Sequence, residues 1–198
     1  MAQDKKRDEI IEAAKKRFSH FGVAKTTMNE IADDLSISKA SLYYYFPDKL
    51  NLYAAVLQGS IEAERANERD LLNEQYLLNA LNKYLETRTE FIIKNYNILE
   101  YLKTIGTSFP SELETIFIAS RSRDINLIAT ILSNNAKAQG LKIKDTLKVA
   151  ELLIECLDGL RHATFGRKAN FFPDQGQFYK LLIREKEVAA IFVKGLSC

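Results

Sequence analysis

The chain reads as all-α, on three observations. Only three prolines and eight glycines fall in 198 residues, so long stretches run without a helix breaker. Apolar residues recur three and four apart along most of the chain, the period of one helix face. No stretch alternates apolar and polar residues in the manner of a strand, and no repeat or low-complexity segment is present. The pattern yields about nine helices: three and the start of a fourth in the first quarter, and larger ones beyond. A hydrophobic content of 46% is enough for a sizeable core.

Met1 to Lys6 reads as a polar, frayed start. Lys5, Lys6 and Arg7 form a small basic arm, either a solvated terminus or a backbone contact beside a nucleic-acid groove. From Arg7 to Phe21 the residues Ile10, Ala14, Phe18 and Phe21 line one face. Gly22 suits the position just past a helix end. A second helix opens at Thr27, where Thr27 and Glu30 have the spacing of a capping box. Met28, Ile31, Ala32 and Leu35 then share a buried face. Ser36, Ile37 and Ser38 interrupt the pattern: the serines suit a turn and a helix start, and Ile37 plugs the gap between two helices. In the third helix Leu42 and Phe46 point to the core. The opposite face holds Lys39, Ala40, Tyr43 and Tyr44.

That face has an unusual chemistry. A merely solvated helix carries Glu and Lys there, since exposed tyrosines leave apolar area in water. A helix entering a DNA major groove uses this mixture. Lys reaches a phosphate or a guanine edge, Ala or Tyr carbon touches a thymine methyl, and Tyr hydroxyls bond phosphate oxygens. The alternative is a helical hairpin whose tyrosines pack on a partner protein.

Asp48 is positioned to cap the fourth helix. Lys49 follows in its first turn, where the helix dipole disfavours a cation. A phosphate held at that helix start would account for it; a plain surface lysine is the other reading. The helix continues through Leu50, Ala54, Leu57 and Ile61 and turns polar from Glu62 to Asp70. Gly59 within it is a close-packing point or, as the less favoured reading, a hinge. A fifth helix spans Leu77 to Tyr96, with Leu77, Leu78, Leu81, Leu85 and Ile92 inward. A short sixth runs from Asn97 to Ile105 and ends at Gly106, before a break at Phe109-Pro110. Ser111 and Glu114 repeat the capping-box spacing, and the seventh helix runs to Gln139 with Gly140 as its stop. Asp145 caps an eighth helix reaching Phe165, apolar on more than one face and therefore covered on several sides. After Phe171-Phe172-Pro173, a ninth runs from Gln175 to Lys194, with Phe178, Leu181, Leu182, Val188 and Phe192 inward.

The stretch from Thr26 to Lys49 resembles the N-terminal domain of TetR-family transcriptional repressors. The residues that carry the resemblance are Thr26-Thr27, Ile37, Leu42-Tyr43-Tyr44-Tyr45-Phe46 and Lys49-Leu50-Asn51-Leu52. Ser36 stands where many members have Gly, and Ser fits if the backbone there avoids the left-handed conformation. The resemblance implies a helix-turn-helix DNA-binding domain over residues 1–48 and a ligand-binding and dimerisation domain over 49–198. It implies contact with double-stranded operator DNA through Thr26, Thr27, Ser38, Lys39, Ala40, Tyr43, Tyr44 and Lys49. It also implies a homodimer and a small-molecule inducer that relieves repression. The last two helices would pair across a twofold axis, with Leu153, Leu157 and Phe192 holding the dimer or the adjacent core. Aromatic candidates for an inducer pocket are Tyr96, Tyr101, Phe109, Phe117 and Phe165, each with plain core packing as its alternative.

Other classes find little support. A net charge of +2 does not suit a generally polybasic binder. Cys156 and Cys198 are far apart, with no paired-cysteine motif and no Cys/His cluster, so neither a disulfide scaffold nor a metal site is expected. This suits a reducing cytoplasm. The polar start and the lack of a long apolar run predict neither a signal peptide nor a membrane span. For an enzyme, His20 and His162 are the two imidazoles, and no nucleophile–base arrangement or Gly-rich phosphate loop is legible; no cofactor is expected. A helical interaction module or scaffold without a small ligand remains the alternative for the C-terminal part. Arg121, Arg123 and Asp124 read as paired at the surface, or, if one faces inward, as orienting a polar or anionic ligand.

Overall fold

The computed structural model describes residues 2–64, 68–105, 110–165 and 175–196. The described residues form α1 (Ala2–Phe21), α2 (Met28–Asp34), α3 (Lys39–Tyr45), α4 (Lys49–Glu64), α5 (Glu68–Leu72), α6 (Leu77–Lys94) and α7 (Tyr96–Leu99). A 3-10 helix over Glu100–Ile105 follows, then α8 (Ser111–Gln139), α9 (Thr146–Phe165) and α10 (Gln175–Gly195). Among these residues there is no strand, and no helix is long and apolar enough to cross a membrane. The chain divides into two compact units, one of Met1–Ala63 with Asn95–Ile118 and the other of Glu64–Lys94 with Ala119–Cys198.

In the first unit α1 begins at Ala2, so Lys5, Lys6 and Arg7 are helical and not a frayed arm. Asp4 in the first turn complements the helix dipole, Lys6 pairs with Glu9 at 3.0 Å, and the Arg7 guanidinium lies 5.1 Å from the centre of the Phe46 ring. Ile10, Ala14 and Phe18 are fully buried; each large side chain removed from water contributes about 1.5–3 kcal/mol. Phe21 shares their face but, as the last helical residue, extends past the core and is exposed, with Arg17 over its ring. Gly22 ends the helix at φ 80°, its amide donating to the Phe18 carbonyl.

Asp48 caps α4 as expected, accepting from the Asn51 amide at 2.8 Å. Leu52, Tyr53, Val56 and Leu57 are fully buried. The Tyr53 hydroxyl donates to the Ile98 carbonyl at 3.0 Å, and its ring meets Phe18 and Tyr101 edge-on. Gly59 is exposed, and a Cβ built on it would meet nothing within 4 Å. That overturns the close-packing reading of Gly59. The single short helix expected over 97–105 is α7 followed by the 3-10 helix. Ile98 and Leu113 complete this core.

In the second unit α6, α8, α9 and α10 enclose a core of Leu77, Leu81, Leu85, Ile128, Leu132 and Ile154 with their neighbours. Asp145 caps α9 through the Lys148 amide at 3.0 Å. Gly140, at φ 69°, stops α8 as expected. The capping box expected at Ser111 does not form. The Leu113 and Glu114 amides go to the Pro110 carbonyl, which places Ser111 inside the helix, and its hydroxyl donates to the Glu112 carboxylate. The breaks expected at Gly106, Phe109 and Phe171-Phe172-Pro173 lie outside the described residues.

This unit also holds a network of charges. Arg88 donates to the Tyr84 hydroxyl at 2.8 Å and to Asp124 at 2.9 Å. Arg161 donates to Asp158 at 2.9 Å and to the buried Glu185 at 2.6 Å. Of the three charged residues noted on α8, Arg121 reaches Asp158 from the surface, Arg123 pairs with Glu68 at 2.8 Å, and Asp124 turns inward.

Candidate nucleic-acid interface

The site is built from two seven-residue helices and the turns around them. Thr27 is the N-cap of α2, with extended backbone at φ −107°, ψ 155°. Its hydroxyl accepts from the Glu30 amide at 3.3 Å, and the Glu30 carboxylate accepts from the Thr27 amide at 2.7 Å, which closes the capping box. Backbone and hydroxyl donation from Thr27, aided by Arg17, holds the Glu30 carboxyl below the usual range. Arg17 on α1 forks onto Asp34 through two nitrogens, one of them at 2.9 Å, and reaches Glu30 at 3.3 Å. It thereby brackets both ends of α2 and keeps the Asp34 carboxyl low as well. Met28, Ile31 and Ala32 anchor the helix in the core.

At the end of α2 the Ser36 amide donates to Asp33 and the Ile37 amide to Ala32, both at 3.0 Å. This pair of bonds is the Schellman motif, and it places Ser36 at the left-handed position. Its φ is 51°. Ser36 therefore does not avoid that conformation, and the condition set for a Ser there is not met: the two bonds and the packing of Ile37 against the core outweigh the strain on a residue with a Cβ. Ser38 caps α3, accepting from the Ser41 amide at 3.1 Å.

With Leu42 and Phe46 buried, the phase of α3 is fixed. Lys39, Ala40, Tyr43 and Tyr44 all lie on its exposed side, Tyr44 at 72% and Tyr43 at 40% of full exposure. The two other residues expected here are placed differently. Thr26 is buried, with its hydroxyl donating to the Gly22 carbonyl at 2.9 Å. The Lys49 ammonium donates to the carbonyls of Val23, Ala24 and Thr26 at 3.0, 3.3 and 3.1 Å.

The described aromatic pocket candidates are divided between the two units. Tyr101 and Phe117 pack on the core of the first unit, and half-buried Tyr96 starts α7 there. Phe165 meets Phe178 edge-on in the second unit, with ring centres 5.5 Å apart. Phe109 lies outside the described residues. An open cleft of about 570 Å³ in the second unit is lined by Asp70, Glu74, Lys83, Glu86 and Glu90 among others, and by none of these aromatics. Leu153 and Leu157 are buried in their own protomer's core, and Phe192 packs against it. The residues beside them were missed. Leu152 and Cys156 on α9, and Tyr179, Ile183 and Ile191 on α10, face outward.

Comparison with known proteins supports the first quarter most directly. The profile described as "Bacterial regulatory proteins, tetR family" matches residues 10–56. The regulator RutR of Escherichia coli strain K12 is 34% identical over 85 residues, 43% of this chain and 40% of that protein. The probable acrEF/envCD operon repressor of the same strain is 41% identical over 49 residues, 25% of this chain and 22% of the repressor. The match thus spans less than half the length of these curated relatives. Across the whole chain, the crystal structure of a transcriptional regulator from Cytophaga hutchinsonii is 31% identical, covers 98% of this chain and 99% of its own, and superposes with a TM-score of 0.84.

Proposed function

Since the chain belongs to the TetR family of transcriptional regulators, we propose that it is a cytoplasmic, dimeric repressor whose residues 1–48 read operator DNA and whose residues 49–198 dimerise and sense a small molecule. The observation that carries the DNA reading is the exposed face of α3. Lys39, Ala40, Tyr43 and Tyr44 stand side by side on a helix whose other face is locked into the core by Leu42 and Phe46. Ser38, exposed at the cap of α3, adds a hydroxyl of a kind that suits a phosphate contact, whereas the exposed Thr27 hydroxyl already donates to the Glu30 carboxylate.

One recognition helix reads only a few base pairs, and a symmetric pair doubles the half-site. The outward apolar stripe on α9 and α10 supports that dimer, since large exposed apolar patches mark association surfaces. Ile183 is 60% and Ile191 73% exposed in the single chain. A polar inducer is favoured by the inward charges and hydroxyl around Arg88, Asp124 and Tyr84.

The test is binding of the purified protein to duplexes selected from a random-sequence pool, followed by fluorescence anisotropy over a salt series. A palindromic consensus with steep salt dependence is the expected result. Failure to enrich any sequence overturns the reading.

A further inference from the structure

We propose that Lys49 is a positioning residue: its ammonium group fixes the turn between α1 and α2, and with it the cap of α2, and does not contact DNA. This rests on the reading of α2 and α3 as the DNA-reading unit.

A lysine ammonium has three N–H donors and no acceptor. Here all three are taken up by the carbonyls of Val23, Ala24 and Thr26. No donor is left over for a phosphate. Hydrogen bonds from a charged donor are stronger than neutral ones, and these three converge on a segment of four residues. The same segment is closed by the Thr26 hydroxyl on Gly22 and anchored by buried Val23. Thr27, the capping residue, comes next in the chain.

The arrangement also resolves the placement of a cation in the first turn of α4, which the dipole of that helix disfavours. The negative ends of three carbonyl dipoles supply the compensation that a phosphate would otherwise provide. On a further side the ammonium lies 5.9 Å from the centre of the Tyr101 ring, and ring faces attract cations. Tyr101 meets the ring of Tyr53 edge-on, the Tyr53 hydroxyl donates to the Ile98 carbonyl, and Asn97 donates to the Ser19 carbonyl at 2.6 Å. Residues 97–101 and the α1–α2 turn are thus fastened to each other inside the first unit, and Lys49 is the charged link.

The experiment compares wild type with Lys49→Met, which keeps the aliphatic stem and removes the donors. Amide hydrogen exchange should speed up roughly tenfold or more over residues 22–30 in the folded variant, as local opening becomes easier. Unchanged exchange there overturns the proposal. On a duplex selected by the wild-type protein, affinity should fall about tenfold with the salt slope unchanged. A slope lowered by about one per protomer identifies a phosphate contact and also overturns it. Should Lys49→Met not fold, Lys49→Gln retains an uncharged donor and should show the same changes to a smaller degree. Tyr101→Leu should speed exchange in wild type and add little in the Lys49→Met background; simple additivity would remove the ring from the arrangement. If the wild type selects no duplex, the DNA reading fails, and the exchange comparison still decides the role of Lys49.

Discussion

Ser36 holds a backbone conformation that a residue with a Cβ adopts at a cost of about 1–2 kcal/mol. Ser36→Gly is therefore expected to stabilise the protein by ~1 kcal/mol in urea denaturation, net of the extra freedom glycine gives the unfolded chain. A lower midpoint would mean that the serine side chain compensates in a way the geometry does not reveal. Tyr44 is the opposite case, exposed and outside the core. Tyr44→Ala should weaken operator binding by ~1–3 kcal/mol, like loss of a good groove contact, while the melting temperature stays put; a large fall in melting temperature with intact binding would place Tyr44 in the core. The two residues differ in legibility for a physical reason. Leu42 and Phe46 set the phase of α3 by their spacing alone, so the exposure of Tyr43 and Tyr44 followed from the sequence. The dihedral of Ser36 depends on two backbone bonds that no side chain announces. Lys49 was opaque in the same way, because its partners are carbonyls more than twenty positions earlier.

At the scale of the element, α2 shows how a seven-residue helix, too short to hold itself in water, is kept in place. The capping box serves its start, the Schellman bonds its end, and Arg17 spans both. Glu30 and Asp34 both have folded-state pKa values lowered by these bonds. Their contribution is thus complete above the usual carboxylate range and disappears as pH falls through the lowered values. Arg17→Ala should make acid unfolding, followed by circular dichroism, begin at a higher pH, and an unchanged acid midpoint would deny the bracket any role. In α4, Gly59→Ala adds a methyl where nothing is met, so it should stabilise by ~1 kcal/mol. In α9 the sequence left Leu153 and Leu157 either to the dimer or to the adjacent core, because a helix apolar on several faces does not reveal which face is inward. Leu153 and Leu157 face the core, and their neighbours Leu152 and Cys156 face out. Leu157→Asp should consequently unfold the protomer by burying a carboxylate. Ile183→Asp on α10 should leave it folded and shift sedimentation from dimer to monomer; a monomer from neither, with both folded, would move the interface elsewhere.

Across the whole molecule the near-neutral net charge conceals an uneven interior. Glu64, facing Arg123 and Asp124 on α8, Arg88 on α6 and Glu68 on α5, is pushed up by burial to a pKa of about 7. A carboxyl with a raised folded-state pKa favours the fold while protonated, and that advantage is lost as pH rises through the folded value. Glu64→Gln should therefore be nearly neutral around pH 5 and stabilising around pH 8; the reverse order would mean that the ionised form is the better accommodated. The Lys49 contacts have a consequence of another kind, for descent. They engage main-chain oxygens, which every residue type supplies, so exposed Ala24 and Lys25 can drift without disturbing them. Position 49 has no such freedom. Saturation libraries selected for repression should recover many substitutions at 24 and 25 and few at 49, although position 49 bonds the backbone of that same turn.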